Sequence, residues 1–224
     1  AWARDGGCAG CNVTMPLKEA IVPLLDEVDG AAAACGAVNT VCVRAGRAVG
    51  HNTDGDGLLD SLAGQGFDPR GARVLLLGAG GAATAVCHAL TQAGAARIAV
   101  CNRSVLRAET LAARYPGCAV AGGLGDLARY AADSELVVNA TSLGMAGCAG
   151  FDDLSFLWAA PGGATVYDLV YHPRRTALLA AADGLGLRTV GGIDLLIRQA
   201  VRAFALFTGE EPDTEALEAA LREP

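Results

Sequence analysis

Apolar residues fall in two rhythms along this chain. In the middle, short unbroken apolar runs alternate with longer stretches in which alanine and leucine recur every three or four positions. ARVLLL (72–77), RIAVC (97–101), ELVVNA (135–140) and TVYDLVY (165–171) are runs of the first kind, with LRTVGG (187–192) a shorter fifth. Runs this short and apolar, bounded by glycine or polar residues, predict strands buried in a parallel sheet. An alanine-rich pattern reaching about Gly94, and SVLRAETLAARY (104–115), predict helices between them. Such alternation implies right-handed crossovers, hence a twisted, doubly wound parallel sheet covered by helices: an α/β fold.

The two ends follow another pattern. Residues 11–14 and 38–43 predict strands flanking a helix over about 17–29, and the stretches 193–207 and 213–223 predict two closing helices. A smaller α/β unit formed by both termini (residues 1–54 and 192–224) is therefore expected beside a larger one (residues 55–191). The cleft between them is the expected ligand site.

Composition narrows the class. With 224 residues, 52% of them apolar and 18% charged, the chain can bury a sizeable core. No apolar run approaches the ~18 residues of a membrane span, and the opening AWARDGGCAG lacks the basic-then-apolar layout of a secretory signal. A net charge of −7 argues against nucleic acid as the main partner. The eight cysteines sit in settings such as AAACGAV and read as small buried thiols in a reducing cytoplasm. Cys8 and Cys11 form a lone C-x-x-C with no second pair at metal spacing, so no metal is expected. The expected partner is a small molecule, bound by a monomer or homodimer.

The glycine cluster carries chemistry. LLLGAGGAATAV places Gly78, Gly80 and Ala83 as G-x-G-x-x-A at a strand-to-helix turn. The first glycine permits the tight turn, the second admits a pyrophosphate, and the helix N-terminus offers it free N–H groups. This turn is thus the expected pyrophosphate site. An NAD site would carry Asp or Glu at the end of the next strand. Here that position reads Asn102-Arg103-Ser104, with Arg107 one turn later: two guanidiniums and a hydroxyl, suited to a 2′-phosphate. The expected cofactor is NADP.

A second polar constellation lies outside that unit, in NVTMPLK (12–18), GAVNTV (36–41) and HNTDGDG (51–57). Lys18 is the only lysine beside sixteen arginines. A guanidinium stays protonated, whereas an amine can be tuned to pass a proton. Read alone, Asp54 suits the N-cap of a helix starting near Gly55, and Asn39 a strand terminator.

Taken in order, NVTMPLK, GAVNTV, NTDGDGLL, LLGAGGAA, CNRSVLR, NATSLGM, YDLVYHP and GGIDLLIRQA resemble the shikimate dehydrogenase family over residues 7–210. The resemblance implies a Rossmann-type NADP domain with a smaller substrate domain, and NADPH-dependent reduction of 3-dehydroshikimate in aromatic amino-acid biosynthesis. By the same resemblance Lys18 and Asp54 are the catalytic pair, and Thr14, Asn39, Tyr171 and Gln199 bind substrate. Gly78, Ala79, Gly80, Gly81 and Ala82 hold the pyrophosphate by that resemblance, Leu169 and Gly192 lie at the nicotinamide end, and NATSLGM (139–145) forms the loop beneath that ring.

The family's opening strand and helix, which hold a Ser-x-Ser pair for the substrate carboxylate, have no counterpart in this sequence, which starts inside the helix that follows. Either the sequence is truncated or the protein has abandoned that contact; without it, weaker shikimate affinity and an open sheet edge are the expected consequences. A sister enzyme acting on quinate or an amino analogue, and a non-catalytic NADP-binding relative, are the alternatives. A folate-type one-carbon enzyme shares the layout but not NTDGDG or NATSLGM in this arrangement.

Overall fold

In the computed structural model, which describes residues 8–222, the chain first builds a small sheet. Strands β1 (Gly10–Asn12), β2 (Glu27–Val28), β3 (Thr40–Arg44) and β4 (Arg47–His51) lie in the order β1-β3-β4-β2. β3 is antiparallel to both neighbours, and β2 runs parallel to β4. Among the described residues β1 pairs with β3 alone. Residues 1–7, where the sequence places the end of a preceding helix, lie outside the described residues. The β3–β4 connection is Ala45 (φ 49°) and Gly46 (φ 75°), two successive left-handed residues that match the twist of a tight hairpin. β4 was not legible because alanine stands where Asn or Asp would announce such a turn.

The helix expected over 17–29 does not form. The segment folds as successive tight turns, Leu17 N–H to Thr14 O at 2.8 Å and Leu24 N–H to Ile21 O at 2.9 Å among them, with a 3₁₀ turn at Val22–Leu24. Pro23 supplies the reason: it has no N–H for the carbonyl four residues back, and its ring collides with that turn. Glu27 and Val28 then pair with Val49 and Gly50 instead. The helix comes later, as α1 (Gly30–Cys35), capped by Asp29 Oδ1 accepting from Ala32 N–H at 2.7 Å and closed by Gly36 at φ 65°.

Helix α2 (Asp54–Gly64) leads into the large sheet. There follow β5 (Arg73–Leu77), α3 (Gly81–Gln92), β6 (Arg97–Cys101), α4 (Val105–Ala112), β7 (Ala119–Gly122), α5 (Leu127–Ala131), β8 (Leu136–Asn139), β9 (Thr165–Asp168), α6 (Ala177–Gly184) and β10 (Arg188–Gly191). Helix α7 (Gly192–Thr208) returns to the small sheet and α8 (Thr214–Arg222) ends the described chain. The large sheet is parallel throughout, in the order β7-β6-β5-β8-β9-β10. The expected α/β architecture, a doubly wound sheet beside a smaller one, is thus what forms, with β7 as an added edge strand.

Alternate residues of the central strand feed opposite layers. Val74 and Leu76 join Leu58, Leu62, Val86, Leu90 and Ile98 on one face. Leu75 and Leu77 join Val137, Val166, Leu178 and Phe156 on the other. Each fully buried leucine contributes about 2 kcal/mol of hydrophobic stabilisation. The sheet order reverses between β5 and β8, and ligands of such sheets bind outside the carboxyl ends of the strands at that point.

Among the described residues no helix is long and apolar enough to cross a membrane. All eight cysteines are free, and burial pushes the thiols of Cys35, Cys87 and Cys101 up to about 12, leaving them neutral. The expectation of uniformly buried thiols needs correction: Cys8, Cys11 and Cys118 are half-buried, and Cys148 is exposed in the loop after β8.

Candidate active site

Four segments that are distant in sequence meet at the N-terminus of α2. Asp54 is the first residue of that helix, only 5% exposed. A bare carboxylate buried to that degree costs several kcal/mol, so its partners matter. Oδ2 receives the Lys18 ammonium at 2.6 Å, and Oδ1 receives Asn39 Nδ2–H at 2.8 Å. Aligned peptide dipoles at a helix start also favour negative charge there. The helix N-cap is Thr53, so the capping reading of Asp54 is replaced: its carboxylate turns to Lys18.

Asn39 is the hub, and it precedes β3 rather than ending a strand. Besides Asp54, its Nδ2 group donates to Thr53 Oγ1 at 2.9 Å, with Gln199 Oε1 next at 3.4 Å. Its Oδ1 accepts from Thr53 N–H at 2.8 Å and from Thr40 Oγ1–H at 3.0 Å. Every polar atom of the amide is committed, which fixes its orientation. Gln199 arrives from α7, whose backbone is tied in by Thr53 Oγ1–H donating to Gln199 O at 3.1 Å. Thr53 and Asn52, whose Oδ1 accepts from Asp54 N–H at 3.1 Å, belong to this cluster but were not singled out in the sequence. The signal was the dense polar run HNTD between two apolar segments.

Thr14 and Tyr171 stand apart from this network. Thr14 is exposed, its carbonyl closing the turn that delivers Lys18. Tyr171 is 48% exposed on the loop after β9.

The glycine turn lies at the switch point of the large sheet. Gly78 has φ 112°, a left-handed conformation, and a Cβ there would stand 3.0 Å from Ala140 O and 3.1 Å from Thr141 Cγ2. Glycine is therefore required where β5 passes the loop after β8. Gly80, Gly81 and Ala82 then start α3, each of them half-buried, and a Cβ on Gly80 would meet nothing within 4 Å. A Cβ on Gly81 would lie 3.6 Å from Lys18 Cβ, so the glycine turn and the segment that carries the ammonium are separated by about the width of a methyl group. At the end of β6, Asn102 Nδ2–H donates to Ser104 O at 3.0 Å and shapes the entry to α4. Arg103 and Arg107 are exposed beside it, and none of the ion pairs among the described residues uses them. The residues present therefore fit NADP: a backbone cradle for pyrophosphate and two uncommitted guanidiniums for the 2′-phosphate.

Leu169 and Gly192 also meet. A Cβ on Gly192 would collide with the Leu169 carbonyl, so α7 can begin there only with glycine. One participant escaped the sequence reading altogether: Asp168, fully buried at the end of β9. Its sign was a carboxylate inside the apolar run TVYDLVY.

Fold and site define a dinucleotide-dependent oxidoreductase with a Lys–Asp pair opposite the nucleotide turn. Comparison with known proteins is specific. Residues 1–41 match the family model of the shikimate dehydrogenase substrate binding domain, residues 61–145 that of shikimate / quinate 5-dehydrogenase, and residues 192–222 that of the shikimate 5′-dehydrogenase C-terminal domain. The chain is 44% identical over 223 residues to the shikimate dehydrogenase (NADP(+)) of Moorella thermoacetica, an alignment covering 97% of this chain and 75% of that protein. It superposes with TM-score 0.87 and 38% identity on shikimate 5-dehydrogenase from Thermus thermophilus in complex with NADP(H) and shikimate, covering 98% of this chain and 80% of that one. Quinate dehydrogenase from Corynebacterium glutamicum in complex with NAD also gives TM-score 0.87 at 38% identity, with 97% and 78% covered. The chain belongs to the shikimate dehydrogenase family.

Proposed function

We propose that this chain reduces the ring ketone of 3-dehydroshikimate to shikimate, reversibly, in the pathway to the aromatic amino acids. When bound, NADPH supplies the hydride to the carbonyl carbon. Lys18 stabilises the negative charge that grows on the carbonyl oxygen and gives it a proton. Asp54 holds the ammonium in place, and it accepts from the neighbouring substrate hydroxyl. Asn39, Thr14, Gln199 and Tyr171 bind the remaining ring hydroxyls. Asn102, Arg103, Ser104 and Arg107 hold the 2′-phosphate, the turn from Gly78 to Ala82 the pyrophosphate, and Leu169 with Gly192 the nicotinamide end.

The observation that carries this reading is the Lys18–Asp54 pair at 2.6 Å, with Lys18 Cβ only 3.6 Å from where a Cβ on Gly81 would stand. Residues 1–54 and 192–224 act as the substrate lobe and residues 55–191 as the NADP lobe, with the cleft between them. Eight free thiols fit a reducing cytoplasm.

The test is direct. The chain is incubated with NADPH and 3-dehydroshikimate, and loss of nicotinamide absorbance is followed, with 3-dehydroquinate in a parallel arm. Turnover of 3-dehydroshikimate is the expected result. NADPH binding without turnover of either ketone overturns it, and turnover of the quinate precursor alone transfers the reading to the sister activity.

A further inference from the structure

Asp168 stands at the carboxyl end of β9, opposite Asn139 at the end of β8 in the register of the sheet. Neither residue has any exposed surface. Asp168 Oδ1 accepts from Asn139 Nδ2–H at 2.9 Å and Val170 N–H at 3.0 Å. Its Oδ2 accepts from Thr176 Oγ1–H at 2.6 Å, while Thr176 Oγ1, the N-cap of α6, accepts from Leu179 N–H at 3.3 Å. Three donors converge, none of them charged, and their hydrogen bonds offset part of what burial costs the carboxylate.

The network then runs outward. Asn139 Oδ1 accepts from Thr141 Oγ1–H at 2.6 Å and Thr141 N–H at 3.1 Å, and Thr141 Oγ1 accepts from Leu143 N–H at 3.1 Å. Asn139 Nδ2 also donates to Leu143 O at 3.2 Å, closing residues 139–143 into one rigid turn. The Ala140 carbonyl and Thr141 Cγ2 are the atoms that a Cβ on Gly78 would crowd. On the other side Leu169 N–H donates to Asn139 O at 3.0 Å, and the Leu169 carbonyl is the group that crowds Gly192. One carboxylate thus holds both walls of the crevice at the switch point: the loop after β8 and the bend after β9.

We propose that Asp168 is the positioning residue for the nicotinamide end of the cofactor site. It sets the floor under the ring through Asn139 and Thr141 and the wall beside it through Leu169, touching neither cofactor nor substrate itself. The inference rests on the proposed placing of the nicotinamide against Leu169 and Gly192. The adenine end, at Arg103 and Arg107, shares no hydrogen bond with the network. Loss of Asp168 therefore acts on half of the cofactor only.

The experiment compares wild type with Asp168→Ala by titrating two probes without substrate: NADPH, and adenosine 2′,5′-bisphosphate, which carries the adenine end but no nicotinamide. Removing an acceptor shared by three buried donors is expected to weaken NADPH about tenfold, with the bisphosphate unchanged within about twofold. In turnover, kcat falls and the KM for 3-dehydroshikimate stays near wild type. Equal weakening of both probes, or of neither, overturns the proposal. Should Asp168→Ala fail to fold, Asp168→Asn serves: it keeps an acceptor for Asn139 and Val170 but turns an N–H toward Thr176. The same selective loss, smaller in size, is expected, and its absence overturns the proposal. Because both probes bind without the ketone, a wild type that binds NADPH but leaves 3-dehydroshikimate intact would count against the proposed reaction and leave this test standing.

Discussion

A methyl group on Gly57 would stand 2.9 Å from the backbone nitrogen of Gln199 and 3.1 Å from its Cβ. The two helices that connect the sheets, α2 and α7, touch backbone to backbone at this point, and the contact is what carries Gln199 to Asn39. Gly57→Ala should therefore lower kcat/KM about tenfold and lower Tm, since overpacking of this kind costs ~1–3 kcal/mol. Gly30→Ala, where a Cβ meets nothing within 4 Å, is the control and should leave both unchanged. Steady-state kinetics and a thermal melt of both variants check it; equal behaviour of the two would remove the role assigned to this crossing.

Lys18→Ala should reduce kcat by ~10²–10⁴, the range for a lost acid–base group, while NADPH titrates normally. Lys18→Arg is the sharper variant. It retains the charge beside Asp54 but not a compact amine that can release a proton, and it should stay close to Lys18→Ala. Near-normal turnover by either variant would take Lys18 out of the mechanism.

Arg103 and Arg107 should act on one cofactor only. Substituting both by alanine is expected to weaken NADPH by about tenfold or more, because hydrogen bonds to charged groups are worth ~1.5–3 kcal/mol each before solvent screening. Binding of NADH, which has no 2′-phosphate, should scarcely change. Parallel titrations of the two nucleotides decide it; equal losses would place the 2′-phosphate elsewhere.

Stability should depend on pH through Asp168. Burial raises its pKa, opposed by the hydrogen bonds from Thr176, Val170 and Asn139. For a carboxyl with a raised folded value, the stabilising contribution is present in full below the unfolded value of ~3.9 and is lost as pH rises through the folded one. Asp168→Asn cannot ionise. Measured by denaturant titration from acid to neutral pH, its stability relative to wild type should therefore improve as pH rises. A flat difference would show that Asp168 titrates alike in the folded and unfolded chain.

Ala45 offers a gain. It is the only non-glycine residue with positive φ among those described, at 49°. Since a left-handed conformation costs an L-residue roughly 1–2 kcal/mol, Ala45→Gly should raise the unfolding midpoint slightly without touching activity. An unchanged or lower midpoint in denaturant would mean the hairpin carries no such strain.

Much of this molecule could be read from its sequence, and the reasons are local. A run such as RIAVC is buried on both faces, so its apolar character and length suffice to mark β6, whose bounds coincide with the run. The glycine turn announces itself because Gly78 needs a conformation that other residues avoid. Reading failed where a local preference was overridden by a partner elsewhere. Residues 17–29 have helical composition, yet Pro23 interrupts them and Glu27–Val28 find a better bond in β4. β7 is a short edge strand of alanine, valine and glycine, too bland to signal itself. Asp168 was passed over because its importance lies in who donates to it, from 8 and 29 residues away along the chain.

The sequence by itself settled the kinds of chemistry available: a lone amine, a glycine turn before a helix, and arginines where an NAD site would carry an acid. Those follow from side-chain type and short-range backbone demands, which a linear reading contains. Only the tertiary structure decided which groups come together. Lys18, Asn39, Asp54 and Gln199 lie far apart along the chain, yet they meet at the start of α2, where its crossing with α7 at Gly57 brings in Gln199. Packing, not spacing, brings them together, and no local preference encodes it.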